Sequence, residues 1–136
     1  MTFYKEASDK AQALEKQYLQ LFQECFNEPT LKTTSKFSIY DYVGDSICIE
    51  LKQRQIRHNQ YRDTMIGMNK INEALKINKK VYFVFLFTDG LYKYQFDKDD
   101  LENGNIEMRI GGRNDRNSNE IKDYYYISTN LLSEMV

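Results

Sequence analysis

Residues 40–54 read YDYVGDSICIELKQR, and the fold turns on how this stretch pairs with itself. The run before it, FSIYDYV (37–43), alternates with a period of two and is rich in β-formers, and ICIELKQR (47–54) alternates again. Gly44-Asp45-Ser46 between them is a turn signal, so the two runs predict an antiparallel hairpin. With Gly44 and Asp45 at the tip, Tyr42 would face Ile47 and Asp41 would face Cys48. Opposed residues share a face, as do residues two apart on one strand. Asp41, Cys48, Glu50 and Lys52 are therefore expected on one side, and Ile47, Ile49 and Leu51 on the other with Tyr40 and Tyr42.

Upstream, apolar groups at Tyr4, Ala7, Ala11, Leu14, Tyr18, Leu21 and Cys25 step by three and four, the stripe of one long helix over residues 4–26. Pro29 and the polar run Thr33-Thr34-Ser35 end it in a loop. Downstream, the polar and basic RQIRHNQYRD leads to Asp63 or Thr64, either of which could cap a second helix to about Asn78, with Met68, Ile71 and Leu75 on one face.

VYFVFLFTD (81–89) is apolar on both faces, as in a strand covered on both sides of a sheet. Gly90 starts a turn from which LYKYQFD returns as a further strand. Residues 97–105 read as an acidic exposed loop, IEMRI (106–110) as a short edge strand, and GGRNDRNSNE (111–120) as a mobile loop. DYYYIS (123–128) reads as a last strand before a short helical turn. The order α-β-β-α-β-β plus a tail implies a mixed sheet with helices on its faces.

The 136 residues suit one domain, and a single proline and six glycines leave little room for linkers. A formal net charge of −1 means that a polyanion would have to be held by a local basic patch. Cys25, Cys48 and the lone His58 cannot furnish a zinc centre from soft ligands, and two cysteines make no disulfide framework. The opening MTFYKEASDK lacks an apolar signal region, and the longest apolar run, VYFVFLF, is too short to span a bilayer. The expectation is a reduced, intracellular, soluble protein without a membrane partner.

Two carboxylates on one face repel unless a proton or cation intervenes. A hard divalent cation takes oxygen ligands and often uses only one or two protein carboxylates, which Asp41 and Glu50 supply. Lys52 reaches over the same place, able to hold a phosphate, orient a water or offset developing charge.

This stretch, after a long helix and before a second, resembles the core of the PD-(D/E)XK nuclease superfamily of restriction enzymes, junction resolvases and exonucleases. Asp41 matches the first acidic residue of its motif, and Glu50 and Lys52 match the second half. Tyr40 stands where the motif has proline, and the Asp41–Glu50 spacing is short, which demands a tight turn.

The resemblance implies an α/β (α+β) fold with a restriction-endonuclease-like αβββαβ core and a mixed central sheet flanked by helices. It covers about residues 10–96 of a single nuclease-like domain, with 97–136 as a C-terminal extension. It further implies a Mg²⁺- or Mn²⁺-dependent endonuclease acting on nucleic acid, DNA more than RNA. Metal ligation would come from Asp41, Glu50, the Leu51 carbonyl and Glu15, with Glu24 as the other helix candidate. A chain with one site would need a homodimer to cut both strands together; otherwise it would nick, or act on branched or single-stranded substrates.

Arg54, Arg57, Tyr61, Arg62, Lys70 and Arg113 are the candidate nucleic-acid contacts, with Arg109 and Arg116 in the same glycine-rich segment as Arg113, and the resemblance further implies that Lys70, on the second helix, supports the site. His58 is a weaker general-base candidate, and Asp45 reads as a turn residue. The rival readings are an inactive nucleic-acid-binding or regulatory module of the same fold, and a protein–protein interaction domain served by the aromatic content.

Overall fold

The computed structural model describes residues 3–35, 37–112 and 121–135. A 23-residue helix, α1 (Phe3–Cys25), opens the chain. It is followed by β1 (Lys32–Thr33), β2 (Tyr42–Val43), β3 (Ile47–Gln53), β4 (Asp63–Gly67) and α2 (Met68–Lys76). Then come β5 (Lys80–Phe87), β6 (Gly90–Gln95), α3 (Lys98–Glu102), β7 (Ile106–Gly112), β8 (Ile121–Ser128), a 3-10 turn (Thr129–Leu131) and β9 (Ser133–Glu134).

The strands make a mixed six-stranded sheet in the order β1-β2-β3-β5-β6-β9 and a three-stranded antiparallel sheet in the order β4-β8-β7. β3 and β5 run parallel, from Ile47 against Lys80 to Gln53 against Leu86. With β4 set aside in the second sheet, α1-β1-β2-β3-α2-β5 is the expected αβββαβ succession.

Alternation along β3 and β5 splits the core in two. Phe22 of α1 packs with Leu31, Tyr42, Ile47, Ile49, Leu51 and Val84 on one face of the large sheet. On the other, Cys48, Val81, Phe83 and Phe85 meet Ile71 and Ala74 of α2 and Ile66, Ile106 and Ile127 of the small sheet. Both faces are thus buried, as a central parallel pair requires.

The structure corrects several expectations. Residues 63–67 form β4 rather than a helix cap: Thr64 and Ile66 are buried, alternating along a strand paired with β8. α2 starts only at Met68, without a side-chain cap, and it buries Ile71 and Ala74 while Leu75 is 51% exposed. The acidic 97–105 stretch contains α3, because Asp97 accepts a hydrogen bond from the Asp99 N–H and caps it.

IEMRI extends to Gly112 as β7, which takes Gly111 and Gly112 out of the expected loop; residues 113–120 lie outside those described. Among the described residues, no helix is long and apolar enough to cross a membrane.

Candidate active site

The hairpin register sets the site. Tyr42 pairs with Ile49 and Val43 with Cys48, two residues along from the expected pairing. The tip is Asp45-Ser46, one residue beyond the expected Gly44-Asp45, because the Gly44 N–H donates to the Ile47 carbonyl at 2.8 Å. Its outer side is held by Glu28, which accepts from the Ser46 hydroxyl, the Ser46 N–H at 3.2 Å and the Thr30 hydroxyl at 2.6 Å. These bonds hold the Glu28 carboxyl below the usual carboxylate range, the Ser46 hydroxyl most of all.

Continuing the register one step brings Asp41 opposite Glu50. Gly44 and Ile47 form a hydrogen-bonded position, so by alternation Asp41–Glu50 is a non-bonded one, where opposed side chains approach most closely. A shift of two residues keeps the faces, so Asp41, Glu50 and Lys52 still share a side. Tyr40 does not follow the alternation. The chain bends over residues 38–41, and its ring packs with Cys48, Phe83 and Phe85 while its hydroxyl donates to the Lys70 carbonyl at 2.7 Å.

Asp41 Oδ2 accepts from the Leu51 N–H at 2.8 Å. A residue's N–H and C=O point to the same edge of a strand. The Leu51 carbonyl therefore faces the edge of β3 where Asp41 stands and β2 has ended. Glu50 is 1% exposed. One of its oxygens, Oε2, lies 3.2 Å from Lys52 Nζ and 3.2 Å from Lys70 Nζ. The other, Oε1, is buried without a hydrogen-bond partner among the described residues.

Burial pushes Glu50 up to about 7, the Asp41 charge adds to the rise, and the two lysines oppose it. Burial also raises Asp41, eased by the Leu51 N–H, with nearby Glu15 adding to the rise. Glu15 approaches from α1, where its carbonyl accepts from the Tyr42 hydroxyl at 2.5 Å. Glu24 instead takes a bond from Gln20 on the exposed side of α1. Among the described residues, no three Asp, Glu, His or Cys side chains converge as a complete metal cage. An oxygen site that completes its shell with water and phosphate does not require one.

The other sequence candidates scatter. Lys70, expected both to support the site and to contact nucleic acid, is 17% exposed and turned inward, its ammonium bonded to Glu50 and to the Ile39 carbonyl. Arg54 Nη2 donates to the Met65 carbonyl at 2.8 Å, joining the end of β3 to β4. Arg57 is exposed and lies 4.0 Å from Asp89. Tyr61 and Arg62 are exposed, and their carbonyls accept from the Thr129 hydroxyl.

His58 is tied to Asp89 through its ring and its N–H and stacks on Tyr92. Glu50 is level with Phe83, and Asp89 lies beyond Phe87, so this pair sits roughly 13 Å or more farther along the sheet. Asp45 stays in the turn, its N–H on the Thr30 hydroxyl. Cys48 is fully buried packing, its thiol raised by that burial.

Arg109 lies on β7, ion-paired to Asp63 at 3.0 Å and set over the Tyr126 ring. Arg113 and Arg116 fall outside the described residues. The Glu28 clamp on the turn has no sequence signal, since a hydrogen bond between distant positions leaves no periodic trace.

A family model described as "Phage putative PDDEXK endonuclease" matches residues 2–133. No curated protein matches the chain. Among solved structures, the Holliday junction resolvase Hjc from the archaeal hyperthermophile Archaeoglobus fulgidus is similar with a TM-score of 0.46 and 14% identity, over 85% of this chain and 94% of that one. With its model matched almost end to end, that phage PDDEXK endonuclease family, among the PD-(D/E)XK nucleases, is the one to which the chain belongs.

Proposed function

We propose that the protein is a divalent-metal-dependent endonuclease that hydrolyses phosphodiester bonds in DNA, with Asp41 and Glu50 as its metal-binding carboxylates. The observation that carries this reading is the buried, unpartnered Oε1 of Glu50 beside the Asp41 carboxylate. A buried acceptor with no donor costs about 1–3 kcal/mol, more when charged, and a hard cation between the two groups answers both that cost and their repulsion.

The donors are all oxygens, which fits Mg²⁺ or Mn²⁺. Asp41, Glu50 and the Leu51 carbonyl would hold the ion, with Glu15 behind Asp41 as a further carboxylate. When bound, it supplies Lewis-acid polarisation of the scissile phosphate.

The chain's own residues divide the remaining work. Lys52, a third exposed with its ammonium 3.2 Å from Glu50, is placed to grip the scissile phosphate, orient the attacking water and offset charge on the transferring group. Lys70 clamps Glu50 from the α2 side and fixes the segment leading into Asp41 through the Ile39 carbonyl. Arg54, Arg57, Tyr61 and Arg62 follow Lys52 in the chain and, with Arg113, would contact the polynucleotide. Simultaneous cutting of both strands would need a homodimer.

The test is cleavage of plasmid, linear, branched and single-stranded substrates with Mg²⁺, Mn²⁺ or EDTA, comparing wild type with Glu50→Gln and Lys52→Ala. Metal-dependent cutting that both substitutions lower on the order of a hundredfold or more is the expected result. A wild type that cuts nothing and takes up no metal by calorimetry would overturn the reading in favour of an inactive binding module.

A further inference from the structure

Tyr40 stands where the motif has proline. Proline fixes its own φ through its ring, whereas tyrosine has to take its constraint from partners. The chain bends over residues 38–41, and two elements hold the bend from opposite sides. From the β1 side, the Thr34 N–H donates to the Asp41 carbonyl at 3.1 Å, and the Thr34 hydroxyl donates to the Tyr40 carbonyl at 2.5 Å. From the α2 side, Lys70 exchanges bonds with the Ile39-Tyr40 pair. The Tyr40 hydroxyl donates to the Lys70 carbonyl at 2.7 Å, and the Lys70 ammonium donates back to the Ile39 carbonyl. That ammonium is the one 3.2 Å from Glu50 Oε2.

α2 needs such a hold. It has only nine residues, and among the described residues no side chain caps its start at Gly67. Helices that short are marginal on their own, and an uncapped first turn leaves its N–H groups without partners. Lys70 is the third residue of α2, so without an outside tie its ammonium would follow a loose turn. Tyr40 is 3% exposed, too deep to touch a phosphate, and its ring packs with Cys48, Phe83 and Phe85. Its hydroxyl is therefore a fixed point for the helix to bond. We propose that Tyr40 is a positioning residue: its hydroxyl fixes the first turn of α2 and so sets the Lys70 ammonium on Oε2 of Glu50, leaving Oε1 as the oxygen open to a cation. What that oxygen binds rests on the nuclease reading; the placing of Lys70 does not.

Tyr40→Phe removes the hydroxyl and keeps the ring. Lys70→Ala removes the ammonium and keeps the carbonyl that the hydroxyl bonds. With Mg²⁺, Tyr40→Phe is expected to lower kcat about three- to tenfold, the worth of one hydrogen bond, and to move KM for DNA by less than about twofold. In the Lys70→Ala background the same change should lower kcat by less than about twofold, while still shifting the urea midpoint. A bond that served the fold alone would cost the same activity in both backgrounds.

A second measurement needs neither cleavage nor metal. In EDTA, limiting acetic anhydride labels each lysine according to how freely its amine is presented, and peptide mass spectrometry reads the lysines one by one. Lys70, 17% exposed and ion-paired, should label more slowly than the exposed Lys80 at the start of β5. Tyr40→Phe should raise the Lys70 rate about threefold or more and leave Lys80 unchanged. Unchanged labelling of Lys70, or equal kcat losses in both backgrounds, would overturn the proposal. A wild type that cuts nothing, with Lys70 labelling still raised by Tyr40→Phe, removes the nuclease reading and leaves the placing of Lys70 standing.

Discussion

Asp41 is fixed by Leu51: the Leu51 N–H donates to Asp41 Oδ2 at 2.8 Å, in the position where a continuing β2 strand would have offered a carbonyl. One carboxylate thus substitutes for a ladder hydrogen bond, with Glu50 and Glu15 as its carboxylate neighbours. The strand that ends at Tyr42 leaves a notch in the sheet edge, and the acidic pair occupies it.

Glu50 makes stability fall as pH rises. Its carboxyl is held at about 7 against an ordinary value of 4.5. Between those values the folded chain keeps a proton that the unfolded chain has released, so the stability gained at low pH is lost as pH climbs through 7. The full difference amounts to about 3 kcal/mol at most. Urea denaturation in EDTA at pH 5 and pH 8 should show the wild type less stable at pH 8, and Glu50→Gln should remove most of that difference. A wild type equally stable at both values would mean that Glu50 is ionised throughout.

Lys52 and Lys70 touch the same Glu50 oxygen yet should behave differently on substitution. Lys52 is 35% exposed and, among the described residues, its Nζ is paired with Glu50 alone, so Lys52→Ala should cost cleavage on the order of a hundredfold and stability about 1 kcal/mol or less. Lys70 is 17% exposed and also bonds the Ile39 carbonyl, so Lys70→Ala should lower stability by about 1–3 kcal/mol as well as activity. Paired cleavage rates and urea midpoints separate the two. Equal stability losses would refute the assignment.

The sequence made the faces of the hairpin legible even where its register was misread. Side chains repeat every two residues, so a pairing displaced by two keeps Asp41, Glu50 and Lys52 on one side. Tyr40 broke the pattern because a bend, not a strand, carries it, and no periodicity reports a bend. β4 was hidden for a related reason: its five residues run straight into α2, and two short periods overlapped at Ile66-Gly67-Met68. The inward turn of Lys70 depends on where α2 docks, which the helix's own residues do not state.

His58 should prove dispensable for the chemistry. It is held by Asp89 at the far end of β5 and stacked on Tyr92, away from the acidic pair. His58→Ala should change the cleavage rate under saturating substrate by less than about threefold, against the 10²–10⁴ typical of a lost general base. A hundredfold drop with an unchanged denaturation midpoint would bring His58 into the mechanism.

Gly44 is where the hairpin tip tolerates no side chain. A Cβ there would stand 2.8 Å from Glu28 Cγ and 3.1 Å from Glu28 Cδ, inside the contact distance of real methyl groups. Glu28 cannot simply swing aside, because Ser46 and Thr30 hold both its oxygens and those bonds shape the turn. Gly44→Ala should therefore destabilise the protein by about 1–3 kcal/mol, as overpacking does. Adding Glu28→Ala should recover part of the steric loss while giving up the turn's hydrogen bonds, so the two effects should be non-additive in a double-mutant cycle. Because the tip sets the pairing that brings Asp41 against Glu50, Gly44→Ala should also weaken metal-dependent cleavage at temperatures where the variant is still folded. Full activity at wild-type stability would show that the turn can shift without moving the carboxylates.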